Sequence, residues 1–131
     1  MKEHKDIETI EDIQLMVNSF YNRIRQDDLL GNIFNAVIKD NWPIHLEKMY
    51  RFWQTVLLSE HTYNGSPFAP HAKMPIEKEH FERWKMLFFK TVDQYFFGKK
   101  AEEAKWRAEK MAEMFLLKIE YFKKSETKTI H

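Results

Sequence analysis

Between Tyr63 and Pro75 the chain reads Tyr-Asn-Gly-Ser-Pro-Phe-Ala-Pro-His-Ala-Lys-Met-Pro, a stretch that holds three of its four prolines and one of its three glycines. Proline has no amide hydrogen to continue a helix, and its ring clashes with the preceding turn. No helix therefore runs through this stretch, and Asn64-Gly65 marks a turn near its start. The remainder of the chain is patterned as helix, so one rigid connector must join two helical halves. His71 stands inside that connector, after Phe68 and Pro70 and before Met74. A histidine on a short rigid segment between long helices is placed to ligate something held between them.

The helical pattern is explicit on both sides. Thr9 with Asp12 resembles a capping box, and Ile10, Ile13, Val17, Phe20 and Ile24 recur at helical spacing, with Tyr21 on the same face. This predicts a first helix ending near Gln26 to Asp28. Leu29 to Ala36, around Gly31, reads as one or two tight turns, and Lys39-Asp40-Asn41 as a break. Pro43 suits the first turn of a second helix reaching about Ser59. Its stripe is Met49, Phe52, Trp53 and Val56, widened by Leu46 and Leu57, with His45 one turn before Met49. Pro75 is expected to open a third helix, with Phe81, Trp84, Leu87 or Phe88, Val92 and Tyr95 inward and Gly98 as its stop. A fourth, from about Lys99 to Phe122, turns Ala104, Ala108, Met111, Phe115, Ile119 and Phe122 inward. No strand-like alternation or internal repeat interrupts this all-α pattern. Residues 1–131 are expected to form one domain, with 1–8 and 123–131 as loose polar tails.

Bulk properties narrow the chemistry. Aromatic residues make up 15% of the 131, eleven of them Phe, and a helical domain needs a reason to hold so many flat side chains. There is no cysteine, which excludes disulfides, thiolate metal sites and cysteine nucleophiles. Net charge is +1 with acids and bases interspersed, so nucleic acid is not an expected partner. No apolar run approaches the roughly 18 residues of a membrane span, and the charged start is unlike a signal peptide, so a cytoplasmic protein is expected.

Large apolar residues on several helices around a connector histidine can enclose a flat apolar cofactor such as haem, whose iron takes a neutral imidazole nitrogen on one face and a diatomic ligand on the other. Tyr21, His45 and Trp84 lie on inner helical faces and each carries a donor. Plainer roles stand beside these. His71 could cap the following helix, Tyr21 could pair its hydroxyl with backbone, and Trp84 could be packing alone. His45 could face solvent, contact the bound ligand, or bind iron as a sixth ligand. Glu77 with His80 has the E-x-x-H spacing of di-iron bundles, yet no second pair accompanies it, so His80 reads as a packing or surface residue.

Several short motifs occur in order: Phe20-Tyr21 with Arg23 and Arg25; Ile33-Phe34-Asn35; Trp42-Pro43-Ile44-His45; Met49 with Phe52-Trp53; Tyr63-Asn64-Gly65; Pro70-His71 with Met74-Pro75; and His80-Phe81 with Trp84. Together they resemble the truncated haemoglobins over roughly residues 10–122, most closely the third group, which like this chain lacks Gly-Gly pairs near the helix breaks. The resemblance implies a two-over-two helical sandwich holding haem b (iron protoporphyrin IX), with His71 as the proximal iron ligand. It implies distal positions for Tyr21 and Trp84, and less firmly for His45 and Met49. Phe34 would pack on the porphyrin; Phe52, Trp53, Tyr63, Met74 and Phe81 are expected around the cofactor as wall or core. Lys48, Tyr63 and Arg83 are candidates to pair the haem propionates.

The function so implied is binding of dioxygen, nitric oxide or carbon monoxide, with redox chemistry such as nitric oxide detoxification or peroxide activation. No flavin or nucleotide motif is present, so electrons would come from a separate reductase. The other reading is a non-enzymatic oxygen carrier or a haem-based sensor acting through a partner protein.

Overall fold

The computed structural model describes residues 4–63 and 76–129, without the side chains of Phe122 and residues 125–129. His71 and Met74, and with them most of the connector, lie outside the described residues. Five helices make up the described fold: α1 (Ile10–Gln26), α2 (Gly31–Ile38), α3 (Trp42–Leu58), α4 (Lys78–Tyr95) and α5 (Lys99–Thr129). α1 packs on α3 and α4 packs on α5, and α1 against α4 joins the two pairs. The result is an all-α sandwich of two helix pairs, the two-over-two arrangement that the resemblance implies.

Local chemistry explains most boundaries. The Thr9 hydroxyl accepts from the Asp12 amide while Asp12 accepts from the Thr9 amide, which starts α1. Burial opposes ionisation of Asp12, but the Glu8 amide, the Lys5 ammonium and the Thr9 amide together hold its carboxyl below the usual range. The stretch after α1 is a two-turn helix, α2, where tight turns are the expectation from sequence. Asp27 makes the difference: its carboxylate accepts from the amides of Leu29 and Leu30 and ties down the corner that opens α2. Gly31 is required there, because a Cβ would lie 2.7 Å from the Arg25 carbonyl oxygen. Arg83 reaches across from α4 to Asp27 (2.8 Å) and Asp28 (3.0 Å).

Three further boundaries differ from expectation. α4 begins at Lys78 rather than at Pro75, because the Glu77 amide donates to His80 Nδ1 at 2.9 Å and sets the first turn there. The Glu77–His80 spacing is therefore a helix start. α5 continues to Thr129, past the expected stop at Phe122. Residues 4–8, expected to be loose, are held: Ile7 is fully buried, and the Phe97 amide donates to the Lys5 carbonyl at 2.9 Å. Asp6 accepts from the amides of Lys100 and Ala101, both at 2.9 Å, and so caps α5 from more than ninety residues away. Gly98, anticipated as the stop of α4, is not its cap: α4 closes at Tyr95 with Phe96 extended, and Gly98 stands at the opening of α5, its carbonyl accepting from the Glu102 amide. Its φ of +142° and an imagined Cβ only 2.6 Å from Asp6 Cγ exclude a side chain there.

The core lies where the pairs meet. α1 contributes Ile13, Met16, Val17, Phe20, Tyr21 and Ile24, and α4 contributes Leu87, Phe88, Thr91 and Val92. Ala101, Ala104, Ala108 and Ala112 give α5 a small-residue face toward its neighbours, with Ile119 beyond them. Phe88 is the aromatic centre. It stacks on Trp53 (5.1 Å between ring centres) and on Trp84 (5.8 Å), and meets Phe20 edge-on at 5.1 Å.

Candidate functional site

Packing the five helices around large aromatics leaves a cavity of about 770 Å³ on one side of the core. Protein interiors seldom keep voids larger than a water molecule, and pockets for small-molecule ligands run to about 300–1,000 Å³. Tyr21, Phe34, His45, Met49, Phe52, Trp53, Tyr63, Phe81 and Trp84 all line it. Nine of the eleven site residues expected from sequence are thus brought to one space; His71 and Met74 lie outside the described residues. Phe34, Met49, Phe52 and Trp84 are each only partly buried although they sit against the core. Their apolar faces border the cavity. A flat, apolar, ring-shaped group suits such walls better than water does.

Each wall has a local cause. Tyr21 is 7% exposed, and its ring is fixed by Phe20 (5.0 Å), Trp42 (5.8 Å), His45 (5.0 Å) and Phe34 (6.3 Å). Burial pushes its phenol well above the ordinary value, so the hydroxyl stays protonated and able to donate. Trp42 holds this group from behind. Its indole N–H donates to Asn35 Oδ1 (3.2 Å), its ring meets His45 edge-on at 5.7 Å, and Arg25 lies 4.6 Å from its ring centre. Trp84 is set by its stack on Phe88 and by Phe20 edge-on at 5.5 Å. Tyr63 is carried in by the end of α3: the amides of Thr62 and Tyr63 both donate to Thr55 Oγ1 at 3.1 Å. That places its ring 5.5 Å from Phe52.

Sequence reasoning overlooked several contributors. Ile76, His80, Met111, Ala112 and Phe115 also border the cavity. Met111 and Phe115 fall on the inward stripe of α5, but only its angle to α4 turns that part of the stripe toward the cavity. His80 borders the cavity while its Nδ1 accepts from the Glu77 amide. Among the described residues no cluster of three or more His, Asp or Glu could hold a metal ion. Of the propionate candidates, Lys48 and Tyr63 line the cavity, whereas Arg83 is engaged by Asp27 and Asp28.

A family model described as bacterial-like globin matches residues 5–117. This chain belongs to the bacterial-like globins. The globin is 37% identical over 87 residues to a group 3 truncated haemoglobin of Campylobacter jejuni, a match that spans 63% of this chain and 68% of that one. A crystal structure of group III truncated haemoglobin from Campylobacter jejuni superposes with a TM-score of 0.82 at 30% identity, covering 89% of the globin and 95% of that chain. The third-group resemblance thus holds in sequence and in fold. Membership implies haem binding and, with it, binding of small diatomic gases. Among the described residues no helix is long and apolar enough to cross a membrane.

Proposed function

We propose that this globin binds haem b through His71 and handles dioxygen and nitric oxide beside Tyr21, Trp84 and His45, in a redox reaction rather than in simple delivery. The observation that supports this reading is the protonated, buried Tyr21 hydroxyl beside the His45 ring on the wall of a cavity that Trp84 also lines. Bound haem supplies an iron that accepts a diatomic ligand and changes oxidation state. The chain's own residues supply the rest. Tyr21 and Trp84 each offer a neutral N–H or O–H donor to a ligand carrying partial negative charge. Phe20, Phe34, Phe52 and Phe81 keep water from the space, which strengthens any such hydrogen bond. Two donors around one small ligand slow its escape, which suits reaction better than release.

Oxidation of nitric oxide by dioxygen to nitrate fits such a site and takes up one electron per turnover, which a separate reductase would supply. Peroxide cleavage to water, which takes two electrons and two protons, is the related reaction of the same pocket. Absorption spectra of ferric and ferrous protein test the reading directly, with wild type beside His71→Ala and His45→Ala. Loss of the Soret band in His71→Ala alone is the expected result. A wild type that shows no Soret band after addition of haemin would end the haem reading. Nitric oxide consumption with reductant present, set against simple ligand release, separates the redox reaction from a carrier or sensor role.

A further inference from the structure

Tyr21, Trp42 and His45 form a closed triangle of rings. Their centres are 5.0 Å (Tyr21–His45), 5.7 Å (Trp42–His45) and 5.8 Å (Tyr21–Trp42) apart, and the pairs meet edge to face at 88°, 89° and 62°. Tyr21 and His45 border the cavity; Trp42, 6% exposed, instead lines a separate groove on the other side of Tyr21. Trp42 is itself held at two points. Its Nε1–H donates to Asn35 Oδ1 of α2 at 3.2 Å, in the plane of the ring, while the Arg25 guanidinium of α1 lies over the ring face at 4.6 Å. Three helices thus meet at one indole. Trp42 opens α3, and the His45 amide donates to the Asn41 carbonyl at 2.9 Å, so Trp42 and His45 stand one helical turn apart on the same side.

We infer that Trp42 is a positioning residue: locked by Asn35, it holds the Tyr21 and His45 rings in the one arrangement that serves a bound ligand. The inference rests on the donor role proposed above for Tyr21 and His45. A helical side chain has only a few staggered positions, and a ring packed on two sides keeps one of them. The imidazole of His45 has Tyr21 on one side and Trp42 on the other. Hydrogen bonds weaken steeply as donor and acceptor fall out of line, so a small rotation of either ring costs most of a bond to the ligand. Trp42 acts on the ligand only through these two neighbours. Asn35, at the end of α2, acts only through Trp42.

The infrared C–O stretch of the ferrous carbon monoxide adduct tests this, because its frequency follows the donors beside the bound ligand. The wild type is expected to give one band. Trp42→Phe keeps an aromatic ring but loses the N–H and part of the edge; it is expected to add a band at higher frequency and to speed dioxygen release by about two- to tenfold. Asn35→Ala should act in the same direction to a smaller degree, and Asn35→Asp, which keeps the acceptor, should retain the wild-type band. Asn35 is exposed, so these two variants leave the core intact. Gly98→Ala strains the opening of α5 and not this corner, and should move neither the band nor the rate. Tyr21→Phe separates the inference from the reading beneath it. If Tyr21→Phe moves the band while Trp42→Phe and Asn35→Ala do not, the positioning role alone fails; if Tyr21→Phe leaves it in place, both fail. A wild-type band already divided, or a Gly98→Ala shift as large as that of Trp42→Phe, would also overturn the inference.

Discussion

Tyr21→Phe removes one oxygen atom and leaves the ring in place. The neighbours that fix that ring (Phe20, Phe34, Trp42 and His45, at 5.0–6.3 Å between centres) touch its faces and edges and do not depend on the hydroxyl. The expected effect is therefore on the ligand rather than on the fold. A hydrogen bond from a neutral donor to a charged or partly charged acceptor contributes about 1.5–3 kcal/mol. At 1.4 kcal/mol per factor of ten, its loss speeds dioxygen release by roughly ten- to a hundredfold, with the change falling mainly on the dissociation rate. Stopped-flow replacement of dioxygen by carbon monoxide in the ferrous protein reads that rate. Burial holds the phenol protonated well above its ordinary range, so the wild-type rate should stay level where an exposed tyrosine would ionise, near pH 10. A change of less than about twofold, with an unaltered Soret spectrum, would refute the assignment of Tyr21 as a donor, because the lost bond is of order kcal/mol.

Phe88→Ala should cost about 3–5 kcal/mol in urea unfolding, since Phe88 is 1% exposed and its loss leaves Trp53 and Trp84 facing a hole. Phe88→Leu should cost clearly less. Gly98→Ala should destabilise by about 1–3 kcal/mol in the same assay, from an unfavourable φ and the approach to Asp6. Asp6→Ala removes the cap of α5, worth about 1 kcal/mol. Asp6 also predicts a pH dependence. Burial opposes its ionisation, but the amides of Lys100, Ala101 and Ile7 and the nearby Lys100 charge outweigh that and hold its carboxyl below the usual carboxylate range. Its contribution is then complete above the unfolded carboxyl's pKa and is lost as pH falls through the lower folded value. Thermal melts across the acid range should show a shallower decline in Asp6→Asn than in wild type.

Much of the fold was legible because its determinants are local. Helix periodicity, the Thr9–Asp12 box and Pro43 in a first turn each act within a few residues, so reading along the chain finds them. Tyr21, His45 and Trp84 could be singled out because each is a donor on an otherwise apolar stripe. What escaped depends on partners far apart in sequence. The charged start looked loose because the partners that bury it lie far along the chain; the amides that Asp6 satisfies belong to the opening turn of α5. Glu77 and His80 matched a metal-site spacing and a helix start equally well, and only the backbone path decided between them.

The amino-acid order alone determined that this chain is helical, where α1 and α3 begin and end, and which faces are greasy, because those follow from backbone chemistry and spacing within a turn or two. Tertiary structure alone decided which part of each greasy face touches another helix and which borders the cavity. Met111 and Phe115 lie on the same stripe as Ala108, yet they border the cavity while Ala108 is packed against the core. A stripe records that a side chain avoids water. The angle between two helices, which no single helix carries, determines what it meets instead.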